Sequence, residues 1–300
     1  MNNEYKQRVE LLLKIIPSLY GIDTFAIHGG TAINLYVLDF PRHSVDIDIT
    51  YIPIRPREES FAEIRSNLLL LKEKIRNIVQ GVIITEKPNK IMCNAKGIMV
   101  KVEVSGIKRG LIEPYMILPL SDTAQKTFEV SNKARIVSIS QLYGGKIMAA
   151  LDRQHPRDLF DIKLMFNYIK GFDDIKRGFI NCLLGGDRPL IELLSPNRVD
   201  QRETLVNQFA GMTEIPFSYS EYEDTRERLI AFINMNLTDK DKRFLLSFEE
   251  GEPDWQSSEY ADFQKFPAIQ WKLLNINKLK ATNPNKHKQE VEKLRRYFSL

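Results

Sequence analysis

The stretch FAIHGGTAINLYVLDFPRHSVDIDIT, residues 25–50, sets the pattern of the first half of the chain. The apolar run Phe25–His28 predicts a short buried strand, and the glycine pair after it predicts a turn. Residues 31–38 are typical of a helix that Pro41 ends. Residues 44–51 alternate strictly between apolar and polar side chains, which predicts a strand with one buried face.

Asp46 and Asp48 lie two residues apart in the second of these strands. Side chains along a strand repeat every two residues, so both carboxylates point to the same side. Two such carboxylates repel each other unless a cation lies between them, and Mg²⁺ (or Mn²⁺) prefers these hard oxygen ligands. The pair therefore predicts a divalent-metal site, with the plain solvent face of a sheet as the alternative.

Gly29, Gly30 and Thr31 come directly before the predicted helix. Without a Cβ, the two glycines let a phosphate approach the backbone closely. The free N–H groups at the start of a helix favour an anion, and the Thr31 hydroxyl would add a donor. A Gly-Gly pair alone indicates only a turn. Together with the two aspartates within twenty residues, it predicts a site for a nucleoside triphosphate and a metal.

A third carboxylate would complete a two-metal site, and Glu103 is the candidate. Residues 97–105 form another alternating strand whose polar face carries Lys101 and Glu103. If this strand lies beside Asp46 and Asp48, Glu103 faces the same cleft. Whether Glu103 binds metal or pairs with Lys101 stays open at this point.

Strands and helices alternate in the first half, and the second half is mostly helical. This order predicts a mixed α/β (α+β) core over residues 1–135 and a mainly α-helical domain over 136–300. The helices are predicted at 4–19, 58–80, 140–153 and 157–168, and a further strand at 82–85.

Two residues of the predicted helical domain are candidates for the same chemistry. Lys146 lies in an apolar helix and would reach a phosphate, although a surface lysine is the usual reading of such a residue. Asp158 lies in the first turn of the next helix, where an acid is also a normal partner of the helix dipole.

Composition and charge set broad limits. The net charge is +4, but residues 271–300 carry eight Lys or Arg and two acids. Such a basic end suits a nucleic-acid contact or a solvated helix face equally well. Cys93 and Cys182 fit no disulfide or zinc pattern. No signal peptide or membrane span is expected, so the expected location is the cytoplasm.

Two sequence blocks resemble the AbiEii/AbiGii nucleotidyltransferase toxins of type IV toxin–antitoxin and phage-abortive systems, which include the MenT enzymes. The first joins Gly29-Gly30-Thr31-Ala32-Ile33-Asn34-Leu35 to Arg42-His43-Ser44-Val45-Asp46-Ile47-Asp48. The second runs from Lys146 to Asp161, KIMAALDRQHPRDLFD. The resemblance covers about residues 25–165.

The resemblance implies a DNA polymerase β-like nucleotidyltransferase core with an added α-helical C-terminal domain. By similarity, Asp46 and Asp48 bind the metal, and Gly29, Gly30 and Thr31 hold the triphosphate. Lys146 would contact phosphate, and Asp158 would orient Lys146 or the acceptor hydroxyl. Glu103 matches no motif of the family, so its role rests on the strand pattern alone.

The leading hypothesis is a metal-dependent nucleotidyltransferase that moves an NMP from an NTP to the 3′ end of tRNA, as a growth-arresting toxin with a cognate antitoxin. Two alternatives stay open: transfer to a protein or small-molecule hydroxyl, and an inactive nucleotide- or RNA-binding module. The sequence determines neither the NTP nor the oligomeric state.

Overall fold

A computed structural model describes residues 3–300 of the chain. The chain forms two compact units. The first comprises the residues up to Ser138 together with Phe209–Pro216, and the second comprises Ile139–Gln208 and Phe217–Leu300. The sequence predicted one boundary, between residues 1–135 and 136–300. It did not predict that residues 209–216 return to the first unit.

The first unit is built on a seven-stranded mixed sheet with the order β3-β4-β5-β2-β1-β7-β6. β2 runs antiparallel to β1 and parallel to β5, and β1 runs parallel to β7. The strands are β1 (Phe25–His28), β2 (Asp46–Tyr51), β3 (Ile83–Lys87), β4 (Lys90–Ala95), β5 (Ile98–Val104), β6 (Met116–Pro119) and β7 (Lys133–Ile136).

Helices accompany this sheet. A 3₁₀ turn, Ile16–Leu19, extends the first helix, and a π-helical turn, Ile33–Val37, extends the short second one. These segments confirm the helices predicted at 4–19, 31–38 and 58–80. The four helices are α1 (Asn3–Ile15), α2 (Gly29–Ala32), α3 (Arg57–Ile78) and α4 (Asp122–Phe128).

Alternation from Asp46 to Ile49 separates a buried face of β2 from a polar face, and the strand is buried on both faces beyond Ile49. Ile47 and Ile49 are completely buried, whereas Asp46 and Asp48 are half-buried on the other side. The predicted alternating strand is thus confirmed. Because the apolar side chains fix the register of the strand, the two carboxylates have no alternative orientation.

The second unit is helical, as expected from the sequence; no strand is assigned within residues 139–208 or 217–300. The His155 side chain caps the second of its helices by accepting a hydrogen bond from the backbone N–H of Arg157 (3.1 Å). The helices are α5 (Ile139–Asp152), α6 (Pro156–Tyr168), α7 (Asp173–Leu184), α8 (Leu190–Leu194), α9 (Arg202–Thr204), α10 (Tyr219–Asn236), α11 (Asp239–Glu249), α12 (Pro267–Thr282) and α13 (Pro284–Phe298).

Both cysteines are buried, and neither is part of a disulfide. Among the helices of residues 3–300, none is long and apolar enough to cross a membrane.

Helices α5 and α7 approach each other at two glycines. A Cβ on Gly144 would lie 2.2 Å from the carbonyl carbon of Gly178, and a Cβ on Gly178 would lie 1.8 Å from the carbonyl oxygen of Ser140. Backbone therefore packs on backbone here, and no side chain fits. Gly145, the next residue, has nothing within 4 Å of the same position.

This contrast gives a matched pair of substitutions in one helix. Gly144→Ala should destabilise the chain by about 2–4 kcal/mol, because the helices must move apart. Gly145→Ala should be neutral or stabilise it by up to about 1 kcal/mol, because alanine favours a helix. Urea unfolding of both variants is the measurement, and equal losses would contradict the packing described.

Lys272, in the basic C-terminal region, is buried rather than solvated, with 7 % of its surface exposed. Its ammonium donates to the carbonyl oxygens of Arg188 (2.6 Å) and Leu183 (3.4 Å). Burial lowers the pKa of Lys272 to about 8, although the negative charges of Glu249 and Asp187 act to raise it. This lysine therefore fastens α12 to the segment after α7 and is unavailable to a nucleic acid.

The lowered pKa of Lys272 predicts a pH dependence of stability. Between about pH 8 and the ordinary lysine pKa near 10.4, the unfolded chain binds this proton more tightly, so stability should rise with pH. Lys272→Met should remove this rise. The difference in the free energy of unfolding between variant and parent should therefore change by about 1–3 kcal/mol from one end of that pH range to the other. Urea unfolding at both ends of the range measures it.

Lys278→Met is the control, because Lys278 is an exposed residue of the same helix. It should keep the pH dependence of the parent. If Lys272→Met also keeps it, Lys272 does not titrate in this range.

Candidate active site

The polar face of β2 meets polar or charged side chains on both neighbouring strands. Asp48 pairs with His28 of β1 on one side and with Glu103 of β5 on the other. Asp46 pairs with Lys101 of β5. Paired residues of adjacent strands share a face, so the sheet brings together the three acids expected from the sequence.

Gly29 lies against Asp48. Its φ is +73°, and a Cβ there would stand 2.7 Å from Oδ2 of Asp48. Only glycine combines this left-handed conformation with this close approach. The turn before α2 therefore lies directly beside a carboxylate of β2.

Gly30 and Thr31 fix the turn to the segment before β2. A Cβ on Gly30 would lie 2.8 Å from Nη2 of Arg42 and 2.9 Å from Oγ of Ser44. The buried Thr31 hydroxyl donates to the carbonyl oxygen of Asp46 (2.5 Å) and lies 3.0 Å from Oγ of Ser44. The hydroxyl thus holds the turn onto β2 and is engaged within the chain, whereas the sequence predicted it as a donor to a phosphate.

The segment before β2 is also tied to residues 209–216. The backbone N–H of His43 donates to the carbonyl oxygen of Met212 (2.8 Å), and the Thr213 hydroxyl donates to the carbonyl oxygen of Pro41 (2.7 Å). Burial lowers the pKa of His43. Residues 212 and 213, far along the chain, thereby hold the backbone just before the start of β2.

Glu103 is held by two lysines. Lys101 Nζ lies 2.8 Å from its Oε2, and Lys90 Nζ lies 3.0 Å from its Oε1. The hydrogen bond from Lys101 is the main reason that the pKa of Glu103 is below its usual range. The pairing with Lys101 is therefore present, and a metal bound by Glu103 would have to compete with both ammonium groups.

The donor groups of this face fit a hard divalent cation at Asp46 and Asp48. Both are half-buried carboxylates on one face, next to a backbone that lacks a Cβ. Oxygen donors of this kind suit Mg²⁺ or Mn²⁺. Over residues 3–300, no group of three or more His, Cys, Asp or Glu side chains is arranged to hold a metal, so the fit rests on the two aspartates.

Lys146 and Asp158, in the second unit, form a buried ion pair. Lys146 Nζ lies 2.9 Å from Oδ1 of Asp158 and 2.9 Å from Oδ2 of Asp161. Nε of Arg153 lies 2.6 Å from Oδ2 of Asp158. Burial works to raise the pKa of Asp158, but the charges of Lys146 and Arg153 outweigh it and keep this pKa well below its usual range.

Sequence reasoning brought together Lys146 and Asp158 but missed the roles of Asp161 and Arg153. Asp161 is completely buried, and its carboxylate is the second partner of Lys146. The signal available in the sequence was the spacing of Asp158 and Asp161, three residues apart, which places both on one helix face.

Comparison with solved structures identifies the fold. The chain superposes on MenT4, a nucleotidyltransferase toxin of Mycobacterium tuberculosis H37Rv, with a TM-score of 0.61 and 14 % identity. The match covers 92 % of this chain and 95 % of MenT4. The mixed sheet with its helical C-terminal region is therefore the nucleotidyltransferase fold of that toxin.

The family follows from the sequence. The model of the family described as "Nucleotidyl transferase AbiEii toxin, Type IV TA system" matches residues 12–274, which is most of the chain. The chain belongs to this family and is a nucleotidyltransferase toxin of a type IV toxin–antitoxin system. None of the curated proteins compared with it gives a significant match.

The closeness of Gly29 to Asp48 predicts a specific loss of activity. Gly29→Ala would strain the backbone and push Asp48 aside, so nucleotidyl transfer should fall at least about 100-fold. Gly97→Ala is the matched control, because Gly97 also has a positive φ (+84°) but nothing within 4 Å of its Cβ position. Both should lose about 1 kcal/mol of stability. Equal activity in the two variants would contradict the close approach.

Proposed function

We propose that this toxin moves an NMP from an NTP to the 3′ end of tRNA in a divalent-metal-dependent reaction, and that it thereby arrests growth. The observation that carries the proposal is the placement of Asp46 and Asp48 on one face of β2, with Gly29 directly beside Asp48. The acceptor hydroxyl would form a bond to the α-phosphorus, and pyrophosphate would leave.

Asp46 and Asp48 would hold the metal, with Glu103 as the third ligand. Bound there, Mg²⁺ or Mn²⁺ would neutralise the charge that develops on the phosphate oxygens during transfer. The aspartates keep their orientation because Ile47 and Ile49 anchor β2 in the core. To bind the metal, Glu103 would have to give up its hydrogen bonds to Lys90 and Lys101, so it would contribute less to metal affinity than either aspartate.

The turn of Gly29, Gly30 and Thr31 would bind the triphosphate. The first N–H groups of a helix have no acceptor within that helix, and they point outward from its start. Because the two glycines carry no Cβ, the side chains of Asp48, Arg42 and Ser44 can lie close against the backbone of this turn. Arg42, whose guanidinium reaches the Gly30 position, adds positive charge beside the turn.

Lys146 would contact a phosphate of the NTP, and Asp158 would orient it. A lysine held by two buried carboxylates keeps one position, and a phosphate contact requires such a fixed position. Arg153 shares Asp158, so the pair does not leave an uncompensated buried acid.

tRNA is supported as acceptor by the motif resemblance and by the basic end of the chain. Phosphate contacts by Lys and Arg provide most of the sequence-independent affinity for RNA. Exposed residues of α12 and α13 supply such charges: Lys278, Lys286, Lys288, Lys293 and Arg296.

We also propose a cytoplasmic location and a role in abortive phage defence, with a cognate antitoxin encoded nearby.

The proposal is tested by incubating the purified chain with total tRNA, Mg²⁺ and each α-³²P-labelled NTP in turn. Label should enter RNA with one or more NTPs, require Mg²⁺, and fall at least about 1000-fold in Asp48→Asn, which lacks one metal ligand. Glu86→Gln is the control, because Glu86 is an acid on β3 of the same sheet. It should label RNA as the parent does.

The other outcomes are equally informative. Asp48-dependent label in a protein or a small molecule, with none in RNA, would keep the chemistry and replace the acceptor. Bound NTP without transfer of label to any acceptor would favour an inactive binding module and contradict the proposal.

A further inference from the structure

Lys101 is the positively charged residue closest in register to the proposed metal ligands. It pairs with Asp46 across β2 and β5, and it lies two residues before Glu103 on the same face of β5. By strand register, Lys101 therefore neighbours all three of the carboxylates that would bind the metal.

Contacts of the Lys101 side chain match this position. Its ammonium donates to Oε2 of Glu103 at 2.8 Å, and the side chain is 29 % exposed. Burial works to lower the pKa of Lys101, but the hydrogen bond to Glu103 and the charges of Asp46 and Asp48 raise it. The Lys101 ammonium therefore interacts with all three carboxylates, most directly with Glu103.

We propose that Lys101 partly compensates the negative charge of Asp46, Asp48 and Glu103 before the metal binds, and that it lowers the affinity of the site for the metal. This inference rests on the metal site of the proposed function. Lys101 acts as a positioning residue, because it holds the carboxylates in place when no metal compensates their repulsion.

The physical consequence is a competition between two cations for one set of carboxylates. Without the metal, removal of Lys101 would take one positive charge from beside the three acids and leave Lys90 on Glu103, so the metal-free chain would lose stability. With the metal bound, Lys101 is a like charge near a divalent cation, and Glu103 must exchange one partner for the other. The coupling is reciprocal, so a variant without Lys101 must bind the metal more tightly.

Lys90 provides a matched comparison. It also binds Glu103, at 3.0 Å, and its side chain is 32 % exposed. It pairs in register with Glu103, however, and not with either aspartate. Loss of Lys90 should therefore relieve only the competition at Glu103.

The test measures Mn²⁺ binding to the full chain by electron paramagnetic resonance of free Mn²⁺. Lys101→Met should lower the Kd about tenfold, as expected for removing a like charge a few ångströms away in a partly solvated site. Lys90→Met should lower it by less than about threefold. Lys101→Arg keeps the charge, and its Kd should stay within about twofold of the parent value.

Thermal unfolding gives a second readout. Metal-free Lys101→Met should have a lower Tm than the parent, and saturating Mn²⁺ should raise the Tm of the variant more than that of the parent. A purely structural lysine would lower the Tm with and without Mn²⁺ by the same amount.

Asp48→Asn separates the two claims. If it abolishes Mn²⁺ binding while Lys101→Met leaves the Kd unchanged or raises it, the inference about Lys101 is wrong and the metal site stands. If Mn²⁺ binding to the natural chain does not depend on Asp48, the metal site fails, and the inference fails with it.

Discussion

The repulsion between Asp46 and Asp48 is the constraint on which the first unit depends. Their carboxylates share one face of β2 because Ile47 and Ile49 anchor the other face in the core. Neighbouring strands bring compensating charge, and Lys101 stands opposite Asp46. The glycine turn, the buried Thr31 hydroxyl and the hydrogen bonds of residues 212–213 all hold backbone around this pair of charges.

The second unit shows the same principle with the signs exchanged. Lys146 is buried between two aspartates, and Lys272 is buried against two backbone carbonyl oxygens. A buried ammonium with good partners fixes the helices that supply them, although it contributes little net stability. Lys146 has anionic partners, whereas Lys272 has neutral ones, and burial lowers the pKa of Lys272 to about 8.

Local patterns in the sequence predicted β1, β2, α5 and α6, because a period of two or of 3.6 residues depends only on which face is buried. β4 was missed because Met92 interrupts its alternation of polar and apolar residues. The pairing of Glu103 with Lys101 was one of two alternatives that the sequence left open. The second partner, Lys90, and the return of residues 209–216 could not be predicted, since both depend on contacts between separate segments. The spacing of residues in the sequence placed the acids on one face. Only the strand register shows that Lys101 lies opposite Asp46.

The central claim is that Asp46 and Asp48 together hold the divalent metal beside the Gly29 turn. A crystal structure of the chain with Mn²⁺ and a non-hydrolysable NTP, with anomalous scattering recorded for manganese, tests it most directly. The account predicts an anomalous peak about 2.0–2.3 Å from a carboxylate oxygen of each aspartate, with phosphate density at the N–H groups of Gly29 to Thr31. Manganese bound elsewhere, or a triphosphate that lies away from this turn, would contradict it.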